Sequence, residues 1–249
     1  MRAVLRSVVV LAALAVSMTA LAQPADAPSA RSIKIPAPLT LDVAFARQIA
    51  FIRADLLIAN ALVNERDWVD AARHADFPRE EVYGVIRADL RTYKTPQFDT
   101  GLRALSHAIR ARSIKQYRRA LDKVEAALAK ADAALKARQP DWPQFVLQVA
   151  AATLPRAGEE YDDAVADGRI VHPVGYQTAR GVVFQVAQMI DIVAEPLAAR
   201  DAEALQDLRG TLVQLKSAFA PLAAPKQAPM EPATVESLIG KAGAAARRL

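Results

Sequence analysis

The sequence predicts an all-α fold, and three observations support this prediction. Apolar side chains recur at steps of three and four along most of the chain, as on the buried face of a helix. Alanine and leucine dominate, whereas glycine occurs only 9 times and aromatic residues make up 6%. No segment alternates between apolar and polar residues for long enough to indicate a strand. We therefore expect a multi-helix up-down bundle with no sheet, either undivided or split into two stacked sub-bundles.

The first 38 residues have the pattern of an export signal followed by a tether. Arg2 and Arg6 precede the short apolar run Val8–Val16, and an Ala-Leu-Ala cleavage site ends at residue 22. We predict a signal peptide over residues 1–22 and a periplasmic location. Residues 23–38 are rich in Ala, Pro and Ser, which indicates a disordered linker.

Capping residues and prolines divide residues 39–220, the predicted helical bundle domain, into helices. Thr40, Ser113 and Asp141 are candidate N-caps, while Pro78, Pro96 and Pro173 suit the start of a helix. The predicted buried stripes lie within 45–63, 82–93, 102–109, 114–135, 182–193 and 205–219.

Other prolines predict interruptions in this pattern. Gln139-Pro140 ends the most regular helix, which places a possible sub-boundary near 139–141. Pro155 and Pro196 should kink or end their helices. Residues 221–249 read as a Pro-rich linker followed by a C-terminal helix from about Thr234.

The charged residues are unevenly distributed. A basic run with a single acid in it follows residue 102: Arg103, Arg110, Arg112, Lys115, Arg118, Arg119 and Lys123. Such a run is usually a solvated face, but it can also contact acidic lipid headgroups or an acidic protein. We do not expect a nucleic-acid partner, since the chain is predicted to be exported.

The acidic hairpin, defined as Gly158–Gly181, contains the first candidate metal site. Glu160, Asp163 and Asp167 follow the i, i+3, i+7 spacing of one helix face, and His172 follows the turn. Oxygen ligands on one face suit a hard di- or trivalent cation such as Fe³⁺, Ca²⁺ or Mn²⁺. The alternatives are solvated acids or a basic partner. Asp167-Gly168 is expected to stop the helix.

A weaker candidate metal site combines His74 with Glu81, against the alternative of a packed or surface histidine. The absence of Cys excludes thiolate metal sites, CxxC redox chemistry and covalently attached haem. No HExxH, G-x-S-x-G or paired Glu-x-x-His pattern occurs. We therefore expect a protein that is not an enzyme and has no cofactor other than a bound cation.

Three motifs in order resemble the exported helical domain associated with bacterial high-affinity iron permeases. The first runs from Trp68 through His74-Ala75, Pro78 and Glu81 to Tyr83. The second is EYDDAVADGRIV with GYQTARG, and the third is a Leu-rich helix, a Phe-Ala-Pro linker and VESLIGKA. The Glu-rich motif and the membrane helices of the permease itself are not found in the sequence.

This resemblance implies a periplasmic accessory of iron uptake that binds metal or a membrane permease. Two positions depart from the family pattern: Gly175 replaces an expected carboxylate, and Phe77 lies where a second histidine often occurs. The alternative is a non-catalytic interaction module of the cell envelope that has no metal site.

Overall fold

The computed structural model of the protein describes residues 39–249, and it confirms the all-α prediction. The predicted signal peptide (1–22) and linker (23–38) lie outside the described residues. No helix within residues 39–249 is long and apolar enough to cross a membrane. The helices are α1 (Leu41–Glu65), α2 (Trp68–Phe77), α3 (Gly84–Ile86), α4 (Asp99–Arg110), α5 (Ile114–Lys136), α6 (Trp142–Thr153), α7 (Pro155–Ala164), α8 (Pro173–Ile192), α9 (Ala194–Ala198), α10 (Ala202–Ala218) and α11 (Pro232–Ala246).

The buried side chains form two hydrophobic clusters. The first is built by α1, α2, α4 and α5, and the second by α6 to α11. Helix α6 serves both, because Phe145 and Val149 belong to the first cluster while Leu147 and Ala150 belong to the second. Helix α1 likewise adds Ala54 to the second cluster and packs along α8. The predicted domain boundary near 139–141 stays a prediction.

The predicted N-caps are formed as expected. Thr40, Ser113 and Asp141 accept hydrogen bonds from backbone N–H groups three residues later, at 3.3, 3.4 and 3.0 Å. Each bond satisfies a donor that would otherwise be left unpaired at a helix N-terminus.

Two predicted helix starts are wrong. Pro78 does not open a new helix, because Phe77 keeps helical dihedrals and α2 continues into a π-helical turn, Pro78–Tyr83. The wider π-helical turn accommodates the proline ring and its missing N–H. Thr95-Pro96 does not open α4 either, since that helix begins three residues further on, at Asp99.

The other prolines interrupt helices as predicted. Helix α6 ends at Thr153 and α7 starts at Pro155. Helix α8 ends at Ile192, four residues before Pro196. In a continuous helix the proline ring would clash with the carbonyl group four residues earlier.

The tip of the acidic hairpin differs from the prediction. Helix α7 already ends at Ala164, and Val165–Ala166 (β1) pairs with Arg169–Ile170 (β2) in a two-residue antiparallel ladder. Asp167 and Gly168 both have positive φ, 51° and 69°, as a type I′ hairpin turn requires. Asp-Gly therefore makes a strand turn rather than a helix stop, and these strands are too short for period-two alternation to reveal.

The Pro-rich linker packs against this hairpin. The Ile170 N–H donates to Lys226 O at 3.1 Å, and the Ala228 N–H donates to Gly168 O at 2.9 Å. The hydroxyl of Tyr161 donates to Met230 O at 2.6 Å. The linker is thus held by hydrogen bonds along one side of the hairpin before α11 begins.

Candidate functional site

A buried polar triad lies between α1, α2 and α8. His74 Nδ1 is 3.0 Å from Asp55 Oδ1, and His74 Nε2 is 3.1 Å from Gln177 Oε1. The three side chains are only 1–2% exposed. Buried polar groups are retained at low cost only when they are hydrogen-bonded, and this triad satisfies both ring nitrogens. The candidate ligand His74 is therefore occupied by protein partners.

Three proton arrangements fit these distances. If Asp55 is ionised and Gln177 presents its carbonyl oxygen, both ring nitrogens donate and His74 is an imidazolium. If Asp55 is protonated, its hydroxyl donates to Nδ1 of a neutral ring, whose Nε2–H donates to Gln177 Oε1. If the Gln177 amide is turned over, its NH₂ donates to the Nε2 of a neutral ring. Burial raises the pKa of Asp55, while the hydrogen bond and charge of His74 and the charge of Arg156 oppose this rise.

Asp55 also lines a polar cleft of about 450 Å³. The cleft is bounded by α1, the π-helical turn, the start of α7 and α8. Three acids and two arginines line it: Asp55, Glu81, Glu159, Arg47 and Arg156. The formal charge of these five side chains is therefore −1, with the two glutamates exposed and Asp55 buried. Glu81, predicted as a weak metal ligand, thus shares a cleft with the aspartate that holds His74.

Arg47 has an unused hydrogen-bond donor at this cleft. Its Nε is buried and has no hydrogen-bond partner within residues 39–249, and its guanidinium carbon lies 5.7 Å from the ring centre of Phe51. An unpaired buried donor costs free energy.

Glu160 pairs with an arginine of its own helix rather than with another candidate ligand of the acidic hairpin. Its carboxylate forms an ion pair with Arg156, one turn earlier on α7. Burial raises the pKa of Glu160, the charge and hydrogen bond of Arg156 oppose this, and the carboxylates of Asp55 and Asp163 raise it further. The Glu160 carboxylate is therefore close enough to Asp55 of the buried triad for their charges to interact.

The remaining hairpin candidates lie on the surface. Asp163 and Asp167 are exposed, and exposed His172 is the residue that precedes α8. Within residues 39–249, no group of three or more His, Asp or Glu side chains is placed to hold a metal ion together. The prediction of metal at Glu160, Asp163, Asp167 and His172 therefore stays a prediction.

Sequence reasoning did not identify Asp55 or Gln177. One signal for Asp55 was present, since this acid falls between Ile52 and Leu56 in the apolar stripe of α1. An acid within an apolar stripe usually has a buried partner. Gln177 gave no comparable signal, because glutamine is common on exposed helix faces.

Most of the predicted basic run is exposed. Arg103 and Arg110 form ion pairs with Asp99 and Asp76. The other basic residues of the run are exposed and form no ion pair with residues 39–249: Arg112, Lys115, Arg118, Arg119 and Lys123.

One family model matches the chain, over residues 136–249, and its description is the iron permease-associated 4-helix bundle domain. The matched residues include four main helical segments: α6 with α7, α8, α10 and α11. Residues 136–249 are thus similar to the iron permease-associated domain, which confirms the resemblance seen in the second and third motifs. The first motif lies outside the match and stays a prediction. No curated protein and no solved structure matches the chain.

Proposed function

We propose that this protein is an exported, non-catalytic accessory of iron uptake that acts beside a membrane permease. The observation that carries the proposal is the iron permease-associated bundle over residues 136–249. The signal-peptide pattern over residues 1–22 supports export to the periplasm. Cell fractionation with N-terminal sequencing tests the location. A periplasmic protein starting at Gln23 is expected, and a cytoplasmic protein retaining Met1 would contradict export.

We further propose that the polar cleft is where the protein engages the cation. Asp55, Glu81 and Glu159 offer the hard oxygen ligands that iron and other hard cations prefer. Within residues 39–249 these three side chains do not converge on one point. A bound ion must therefore attract the two exposed glutamates toward it or keep water molecules as ligands.

Both departures from the family pattern lie at or near this cleft, and because each removes a possible ligand they favour the second candidate function, an interaction module without a metal site. Phe77, in the place of a histidine, lines it. A Cβ on Gly175, in the place of a carboxylate, would lie 3.5 Å from Glu160 Oε2. The carboxylate of Glu160 is in turn close enough to Asp55 for the two charges to interact. A histidine at position 77 and a carboxylate at position 175 would therefore both lie near Asp55 and His74.

Thermal unfolding with iron, manganese, zinc and calcium tests cation binding. A cation that binds only the folded protein stabilises it by roughly 2.7 kcal/mol at a hundredfold excess over Kd, which raises Tm by several degrees. The double change Glu81→Gln with Glu159→Gln should remove this rise, whereas Asp163→Asn should leave it intact. If Asp163→Asn removes the rise and the double change does not, the ion binds at the acidic hairpin instead.

A second candidate function is an envelope interaction module without a metal site. The observation that favours it is the lack of three converging ligands within residues 39–249. A flat thermal titration with all four metals would support this module and contradict cation binding. Crosslinking in the native envelope then tests the permease partner: the module should still crosslink to a permease, and a protein crosslinked to other envelope proteins alone would contradict that partner.

A further inference from the structure

A second cleft, of about 610 Å³, lies between α1, α5, α6 and α8. This volume is in the range of small-molecule sites, which are mostly apolar with a few polar groups. Leu56, Leu121 and Met189 line it, together with Trp142 and Phe145. The two aromatic rings stack with their centres 5.6 Å apart and their planes inclined by 26°. The wall is therefore largely aromatic and aliphatic.

A buried amide is present in this apolar wall. Gln185 is 6% exposed and lines the cleft, and its side-chain amide forms no hydrogen bond to residues 39–249, although its polar atoms are not sealed from the space of the cleft. A ligand that fills the cleft displaces water from this amide, which costs free energy unless the ligand brings a hydrogen-bonding group of its own. The apolar face of a partner helix would leave this amide unpaired, so Gln185 favours a small molecule.

The rim of the cleft carries one basic side chain that is free to pair. Arg53 is already engaged, because its guanidinium donates to both oxygens of Asp132 at 3.0 and 2.7 Å. Lys136, at the end of α5, is exposed and forms no ion pair with residues 39–249. Burial raises the pKa of Glu125, and the charge of Asp132 raises it further, whereas the charge of Arg53 lowers it. Lys136 is thus the cation that remains available to an acidic ligand.

We propose that this cleft binds an amphipathic organic acid. Its flat apolar body lies against Trp142 and Phe145, a polar group bonds to Gln185, and its acidic head pairs with Lys136. This site goes beyond the proposed function and does not depend on it, because it shares no residue with the polar cleft.

Fluorescence titration of the purified protein with two probes tests the proposal. Anilinonaphthalene sulfonate carries an acidic head, and phenylnaphthylamine has the same ring system without it. We expect saturable binding of the sulfonate at one site. Ile192→Glu, at an exposed lining position, should weaken both probes by about tenfold, because it places a charge against their apolar rings.

Two matched controls separate this site from general surface binding. Val213→Glu changes an equally apolar exposed residue on α10, outside the cleft, and should alter neither probe by more than about twofold. Lys136→Glu should weaken the sulfonate by about fivefold and leave the neutral probe unchanged, whereas Lys130→Glu should affect neither.

All four substituted positions are exposed or partly exposed, and circular dichroism checks that each variant folds. Absence of saturable binding, or equal effects of Ile192→Glu and Val213→Glu, would overturn the proposal. Equal effects of Lys136→Glu on both probes would overturn the acidic head.

Discussion

Asp55 illustrates how one buried residue can make stability depend on pH. Burial raises its pKa above the ordinary 3.8. As pH rises past that value, the unfolded chain releases this proton before the folded protein does. The contribution of Asp55 to the free energy of unfolding therefore falls as pH rises from the ordinary pKa through the folded pKa, and then stays low.

The substitution Asp55→Asn should remove this pH-dependent contribution to the free energy of unfolding. The asparagine keeps an oxygen that can accept a hydrogen bond from His74. We expect a smaller loss of stability in the variant than in the parent as pH rises above the ordinary pKa of 3.8. Urea unfolding at several pH values measures the difference. An unchanged pH profile would contradict a raised pKa at Asp55.

Asp42 provides a control of opposite sign. Burial opposes ionisation, but hydrogen bonds from Arg138, Tyr93 and Gln139 together lower its pKa. Asp42 therefore stabilises the protein above its ordinary pKa, and this contribution is lost as pH falls through the folded pKa. Asp42→Asn should reduce stability near neutral pH, and the loss should shrink in acid.

Phe77 gives a third prediction at the scale of single residues. Phe77 lines the polar cleft, at a position where the resemblance of the first motif predicts a histidine, so Phe77→His adds an imidazole near Glu81 and Asp55. We expect a tenfold or greater gain in affinity for a transition metal, on the order of 1.4 kcal/mol. Isothermal calorimetry measures it. Val85→His, at an exposed position outside the cleft, is the control, and an equal gain there would indicate non-specific binding.

At the scale of elements, the contact between α1 and α8 depends on a glycine. A Cβ added at Gly181 would lie 2.6 Å from Ala54 O and 2.9 Å from Ile58 Cγ1. A backbone carbonyl cannot move aside as a flexible side chain can. The two helices therefore approach too closely for any other residue at this position.

Gly181→Ala should lower the free energy of unfolding by about 1–3 kcal/mol, as overpacking does. Gly210→Ala, in α10, is the matched control, because nothing lies within 4 Å of the added Cβ. It should stabilise the protein by roughly 0.5–1 kcal/mol through helix propensity. Thermal unfolding of both variants measures the contrast, and equal effects would contradict a close contact at Gly181.

Local signals predicted the helices better than the junctions between them. Thr40, Ser113 and Asp141 cap their helices as predicted, because an N-cap bond needs only neighbouring residues. The predicted helix start at Pro78 was wrong, because the choice between a helix start and a π-helical turn depends on packing.

The candidate sites show the same limit more strongly. Helical spacing grouped Glu160 with Asp163 and Asp167, yet Glu160 pairs with Arg156 at i−4. Asp55 and Gln177 are 122 residues apart and meet only through His74. Spacing within one helix cannot reveal a site that is assembled from three helices.

At the scale of the whole molecule, one end of the first cluster combines basic and apolar groups. A shallow depression there is lined by Arg66, Asp67, Trp68, Val69, Arg112 and Ile114. Val69 is 65% exposed and Ile114 is 38% exposed. Lys115, Arg118 and Arg119 follow on the exposed part of α5. Tryptophan and aliphatic groups framed by cations are typical of surfaces that rest on anionic membranes.

We predict that this end binds vesicles containing anionic phospholipid, as expected if the proposed partner is a membrane permease. Each Lys or Arg near such a surface contributes about 1 kcal/mol, and the attraction decays within a Debye length of about 10 Å at 0.1 M salt. Arg118→Glu with Arg119→Glu should therefore abolish co-sedimentation at low salt. Lys241→Glu in α11 with Arg247→Glu just after it makes the same change in net charge and should preserve co-sedimentation. Equal loss in both double variants would show that net charge, and not this end of the molecule, governs binding, and binding to neutral vesicles would exclude the electrostatic mechanism.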